Sequence, residues 1–262
     1  MPGPQPDEIY DRTRDEGRRR LSRPVLELAA TAIVGGFDVA LGVAALGLAE
    51  GAVAESASEG VARLAGAIAF GIGFVFVVVG KSELFTENFL VPITALERTR
   101  ASWLKLVELW IGTLVLNIAA GSLLAVILTS HGVLRGGAAD ALTGVAEHLA
   151  AYGAWTGFLS AIVAGALMTL MTWFVEGSAD AVGVKIVMAW AVGSLIALGT
   201  FNHAIVSTIE MVFGMRYGAD VTYGDLFLNL GVSVAGNLAG GLALVTFVRS
   251  AQALAGGRGD DA

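Results

Sequence analysis

The chain has no cysteine and very little proline: five prolines in 262 residues, three of them before residue 7. The first absence excludes a disulfide framework, thiol catalysis and thiolate metal sites. The second, together with a charged fraction of only 15%, argues against a soluble α/β domain, which needs polar turns and prolines between its strands. No nucleotide-binding loop, metal-ligand cluster or nucleophile–base pair occurs in a solvent-accessible stretch, so neither an enzyme nor a cofactor or metal is expected. Met1–Pro24 is polar and rich in Arg, with no apolar run before a small-residue cleavage site, and is not read as a signal peptide. The formal charge of −7 gives no basis for nucleic-acid binding, because the Arg cluster flanks the first apolar segment, where membrane topology explains it.

Apolar residues and glycine dominate instead. They make up 55% of the chain and 35 positions respectively, with a mean hydropathy of +0.73, which is the composition of an all-α membrane protein. A hydrocarbon core of ~30 Å needs about 20 apolar residues per helix. Six windows qualify: Pro24–Leu48, Leu64–Leu96, Trp103–Thr129, Gly153–Val175, Lys185–Phe213 and Leu226–Arg249. The expected organisation is an N-terminal cytoplasmic arm (1–23), one six-span channel domain (24–250) and a C-terminal tail (251–262). Lys and Arg concentrate on one side of these spans, at Arg12–Arg23, Arg98–Lys105, Lys185, Arg249 and Arg258, and leave Arg63, Arg135 and Arg216 on the other. Both termini are therefore expected in the cytoplasm, with the protein multi-pass in a bacterial inner membrane. The linker Ser130–Tyr152, with His131 and His148, reads as a solvated surface segment.

Three spans per half make any internal repeat an inverted one, here 24–129 against 153–249. Each middle span is broken by polar residues, Gly80–Asn88 in the first half and Thr200–His203 in the second. Non-helical backbone at membrane depth is tolerated only where protein buries it or water lines it, so two breaks that face each other imply a pore. The run Leu64–Val79 spans roughly 24 Å as helix, too short to cross alone, which predicts half-helices with their positive N-terminal ends at the midplane. His203 is the central candidate, because an ionisable group in a span usually lines a path, and burial favours its neutral ring. Thr86 offers a hydroxyl. Phe85 and Phe201 are expected to match across the repeat as a constriction. Lys81, Glu83, Glu87 and Glu210 are either selectivity charges or internal ion pairs, for example Lys81 with a Glu on the next turn.

At these residues the sequence resembles the formate/nitrite transporter family, specifically its divergent YfdC-type branch. The resemblance covers residues 25–249 and rests on Leu84-Phe85-Thr86 with Asn88, on Phe201-Asn202-His203, and on Gly236-Asn237 with Gly240-Gly241. It implies an aquaporin-like inverted repeat with helices 2 and 5 broken, assembled as a homopentamer among membrane lipids, each protomer carrying its own pore for formate, nitrite or a similar small anion or weak acid. Phe85 and Phe201 would then be constriction residues, with His203 between the two hydrophobic gates, Asn202 and Thr86 beside it, and Lys185 in a vestibule. Ser207 stands where the family has Asn four residues after the His, and Gly112-Thr113 where the third span has Gly-Asn. The leading reading is passage of such an anion or weak acid, either passive or proton-coupled through His203; a cation- or neutral-solute-selective channel and an occluded, non-transporting pentamer are the alternatives.

Overall fold

The computed structural model describes residues 3–134, 136–178 and 181–256, so Arg135, Arg258 and the second half of the expected C-terminal tail lie outside the described residues. Within these bounds the chain is all-helical: 83% helix and no strand. The N-terminal arm is itself a helix, α1 (Pro6–Leu21). Its sequence is suited to that role, with Pro at its first position, Asp7 and Glu8 in the first turn and Arg18, Arg19 and Arg20 in the last, each sign at the end of the helix dipole that favours it.

Five helices are long and apolar enough to cross a membrane: α2 (Val25–Ala54), α3 (Glu59–Gly80), α5 (Arg100–Leu128), α7 (Ala154–Gly177) and the continuous rod Tyr223–Ala255. That rod comprises α10 (Tyr223–Ala239), a π-helical segment (Gly240–Thr246) and α11 (Phe247–Gly256). The shorter apolar helix α8 (Val182–Leu198) completes the six predicted apolar segments. A surface helix, α6 (Ala138–Ala150), forms most of the central linker. Two elements follow the breaks: a 3₁₀ turn (Phe85–Phe89) leading into the four-residue α4 (Val91–Thr94), and α9 (Ala204–Tyr217).

The expectation of a half-length first segment needs correction. α3 has 22 residues, roughly 33 Å at 1.5 Å per residue. It starts beside one cavity, lined by Glu59 and Arg63, and ends beside another, lined by Val77 and Lys81. Helix α8 runs the opposite way, from Lys185 in the second cavity to Leu198 in the first. α3 therefore runs from one cavity to the other at spanning length, the shorter α8 returns over 17 residues, and each break turns the chain back into the protein. The sequence reading missed this because Glu59 and Arg63 are polar and were left out of the apolar window, although they continue the helix.

Close packing allows the breaks to be held from behind. A Cβ on Gly36 of α2 would collide with the Asn117 carbonyl, and a Cβ on Gly165 of α7 would collide with that of Asn237. These glycines let α2 and α7 lie directly against the helices that carry the two asparagines, as small residues do in membrane helix pairs.

Candidate functional site

The two breaks are built on one plan. Each opens with a non-glycine residue in the left-handed region, Lys81 (φ 59°) and Thr200 (φ 46°), the only such residues among those described. A left-handed residue after a helix lets the next amide return to the last turn. Thus Ser82 N donates to Val77 O at 3.1 Å, and Phe201 N donates to Ile196 O at 3.0 Å. One buried asparagine then fixes each segment through three bonds. Asn117 accepts from Phe85 N (2.9 Å) and donates to the carbonyls of Ala32 (2.7 Å) and Glu83 (2.9 Å). Asn237 accepts from Ala204 N (2.9 Å) and donates to those of Ala161 (2.8 Å) and Asn202 (3.0 Å). The amides of Glu83 and Asn202 reach the first helix of their own half, at Thr31 O (3.2 Å) and Ser160 Oγ (3.0 Å). Backbone polar groups without helical partners are thereby satisfied inside the protein, as membrane depth requires.

This correspondence corrects two pairings. Glu83 matches Asn202 and Phe85 matches Ala204, so Phe85 and Phe201 are not equivalent, and Leu84 occupies the position of His203. The asparagine of the third span is Asn117; Thr113 returns its hydroxyl to its own helix, at Leu109 O (2.7 Å) and Trp110 O (3.3 Å).

The breaks meet at Thr86 and His203, both fully buried, whose Oγ1 and Nε2 lie 2.8 Å apart. The other ring nitrogen determines how that bond runs. Nδ1 accepts from two backbone amides at the start of α9, Ile205 N (3.3 Å) and Val206 N (3.1 Å), so it carries no hydrogen. In the neutral ring the hydrogen is therefore on Nε2, and His203 donates to Thr86. Placing a second proton on Nδ1 would break both capping bonds and set a positive charge on the positive end of a helix. The arrangement makes His203 a fixed hydrogen-bond donor and leaves the hydroxyl hydrogen of Thr86 uncommitted among the described residues.

The other predicted residues separate into groups. Phe85 is buried and meets Phe89 edge-on, with centroids 5.1 Å apart, while the ring of Phe74 lies 6.1 Å from His203. Ser207 caps the break, its Oγ accepting from His203 N at 3.0 Å. Asn202 turns toward Gly157 O (3.4 Å), between α7 and α10 and away from the Thr86–His203 contact. Phe201 lies next to Thr200, which borders the cavity lined by Glu59 and Arg63. Glu87 is a capping residue, its Oε2 accepting from Leu84 N at 2.9 Å. Asn88 binds Leu84 O (3.2 Å) through its amide nitrogen, and Trp110 Nε1 donates to Asn88 O at 2.8 Å.

Lys81 is not the residue that neutralises Glu83. It is exposed, at the rim of the α1-side cavity with Lys185. The partners of Glu83 come from the end of α1 and the turn that follows it: Arg20 Nη1 at 3.3 Å, and Arg23, in direct contact with the other carboxylate oxygen. Both are well buried, with side chains 11% and 4% exposed. Arg20 also donates to Asn88 Oδ1 (3.0 Å) and to Glu16 (3.0 Å). Burial alone would raise the Glu16 carboxyl, but hydrogen bonds from Arg19 and the nearby charge of Arg20 outweigh it and bring it down to about 2. These arginines were missed as site residues because a positive cluster beside a first span is fully explained by topology. The only further sign was the unpaired Glu83 itself.

Two cavities flank the central contact. On the α1 side, about 490 Å³ opens among Arg20, Lys81, Glu83, Glu87 and Lys185. At the other end of α2, about 190 Å³ opens among Glu50, Arg63, Asp140, His148, Thr200 and Glu210. His148, expected to be a plain surface residue, is exposed but forms part of this wall.

Matching this architecture to known proteins, the family model described as formate/nitrite transporter covers residues 7–251. The chain belongs to the formate/nitrite transporter family. Among its relatives, the Escherichia coli inner membrane protein YfdC is 25% identical over 250 residues, covering 93% of this chain and 77% of that protein. A probable formate transporter of Methanothermobacter thermautotrophicus is 28% identical over 243 residues, 85% of this chain and 87% of its own. A solved pentameric formate channel with formate bound shares the fold at a TM-score of 0.73 and 20% identity, covering 88% of this chain and 98% of its own. A channel described as an FNT family ion channel does so at 0.76 and 19%, covering 92% and 97%. The formate/nitrite transporter family is one of membrane transporters rather than enzymes.

Proposed function

We propose that each protomer is a pore for a small monovalent anion or its conjugate weak acid, of the formate or nitrite kind. The observation that carries this reading is the Thr86–His203 contact, at 2.8 Å, lying between cavities at opposite ends of the protein. Lys81 and Lys185 draw an anion into the α1-side cavity. The apolar surroundings of Phe85 and Phe201 strip its water, a step that favours small solutes and the neutral acid. At the centre, the Thr86 hydroxyl, oriented by Nε2–H of His203, replaces a lost hydrogen bond. Ser207 and Asn202 hold the second break in shape.

The duplicated asparagine pattern supports an inverted repeat of three spans each, with 24–129 against 153–249. The Lys and Arg on the α1 side support a cytoplasmic position for the N-terminus and for α11 in a bacterial inner membrane. The solved relative described as pentameric supports a homopentamer, and the apolar face that α5 leaves open, with Ile111 and Val115 more than half exposed, is suited to lipid or to a neighbouring copy.

Proteoliposomes holding the intact oligomer are expected to take up formate, nitrite, acetate or hydrosulfide faster than empty vesicles. Uptake no faster than the empty-vesicle rate for all four would overturn the proposal. A second reading, a cation-selective pore, is favoured by the carboxylates of Glu50, Asp140 and Glu210 in the far cavity. The sign of the reversal potential under a salt gradient across a planar bilayer separates the two. The pairing of Glu83 with Arg20 and Arg23 removes that carboxylate from the α1-side mouth, in favour of the anion reading.

A further inference from the structure

The far cavity contains a buried acid without the partners that Glu83 and Glu87 have at the α1 side. Glu210 of α9 is 95% buried, only 5% of it being exposed, and it borders the cavity. Among the described residues it has no hydrogen bond and no ion pair. Every other charge facing this space is accounted for differently. Glu59 is paired with Arg63 at 2.7 Å, and Asp140 and His148 of α6 are exposed to water. Glu50 of α2 is half-buried and faces the same cavity, adding negative charge where Glu210 needs a positive one. A carboxylate this deep, without a cation and beside a second acid, is costly to keep as an anion in a membrane. No three His, Cys, Asp or Glu side chains converge here in a way that could hold a metal ion among the described residues.

Position links this acid to the central contact. His203, Ser207 and Glu210 recur at i, i+4 and i+7, one face of the re-entrant helix, and Glu210 lies two turns, about 10 Å, beyond His203 toward the far cavity. His203 is committed to donating from Nε2 with its Nδ1 occupied, so it has no proton to give away and regain. A neutral acid crossing the centre must receive its proton elsewhere.

We propose that Glu210, assisted by Glu50, is the proton-loading site of the far mouth: its carboxylic acid protonates a small weak-acid anion, which then passes Thr86 and His203 as the neutral acid. The O–H bond of Glu210 breaks as the O–H bond of the solute forms. The carboxylate left behind is reprotonated from cavity water, and the solute's proton is released to water on the α1 side, where Lys81 and Lys185 stabilise the anion. Net movement is one anion and one proton in the same direction. The acidic wall repels free anion and draws in protons, which reinforces entry as the acid. This inference rests on the weak-acid reading of the pore.

The test uses the full-length protein in proteoliposomes, with formate as the probe and an internal pH dye as the readout, across external pH from acidic to neutral. Wild type should acidify the lumen as formate enters. Glu210→Gln should lower that uptake at least about tenfold at neutral external pH, as loss of a positioned proton donor does, and progressively less as the medium is acidified. Glu210→Asp should restore part of the rate, and Glu50→Gln should shift the pH profile without abolishing uptake. Infrared titration of the reconstituted protein should show a protonated-carboxyl band at neutral pH that Glu210→Gln removes. If Glu210→Gln keeps the wild-type rate and pH profile, or the band survives the substitution, the proposal is wrong while the pore reading stands. If wild type takes up no formate in either form, the pore reading fails and this proposal falls with it.

Discussion

The first break and the second share a scaffold and differ in what fills it. Both begin on a left-handed residue, return an amide to the preceding turn, and are held by an asparagine making three bonds. The position of Glu83, bound to Arg20 of α1 and to Arg23 of the turn after it, is taken in the second break by neutral Asn202, and the position of Leu84 by His203. The shared features satisfy the backbone and so build the fold. The differences give each end its own chemistry: a mouth tied to the arginine-bearing end of α1 on one side, a hydrogen-bond donor and a buried acid toward the other.

Substitutions that strike one break and spare the other test this division. The largest stability effect is expected from Arg23→Ala, which leaves the buried Glu83 carboxylate short of a partner and should cost about 3–5 kcal/mol. Thermal unfolding in detergent should show that loss, and Arg23→Met with Glu83→Gln together should recover most of it. Recovery by the double variant would mark the pair as a replaceable closure of the first break. Asn117→Ala and Asn237→Ala should come next, each costing on the order of 3 kcal/mol for buried groups left unsatisfied. Here the prediction is equality, and a loss at one asparagine several times that at the other would dissolve the shared scaffold. The smallest effect is at the left-handed residues. Thr200→Gly and Lys81→Gly should each change stability by no more than about 1 kcal/mol, with Thr200→Gly the more favourable because a β-branched side chain fits this conformation worst.

Much of this was legible in the sequence because it follows from apolar length. The six apolar segments, the side of the Lys and Arg residues, and the positions of both breaks come directly from runs of Leu, Val, Ala and Gly interrupted by charge. The candidate pair Thr86 and His203 was readable for the same reason, since polar side chains in such runs need a partner or a path. What stayed hidden depends on contacts between segments far apart in sequence. Nothing near Glu83 names Arg20 and Arg23, some sixty positions earlier, as its partners, and Lys81 looked closer. Phe85 and Phe201 looked equivalent because aromatic residues stand out, whereas the true correspondence is set by backbone groups bonded to Asn117 and Asn237. The full crossing of α3 was hidden by its polar first turn, Glu59 to Arg63, which lies at the cavity edge.

Solute passage where the two breaks touch is tested by Thr86→Val, since valine keeps the shape and removes the hydroxyl that meets His203. Initial formate uptake into proteoliposomes should fall at least about tenfold in this variant, as when a preorganised hydrogen-bonding group is lost, with the oligomer and its melting temperature preserved. Uptake equal to wild type from an intact oligomer would show that the solute does not use this contact, and would contradict the account.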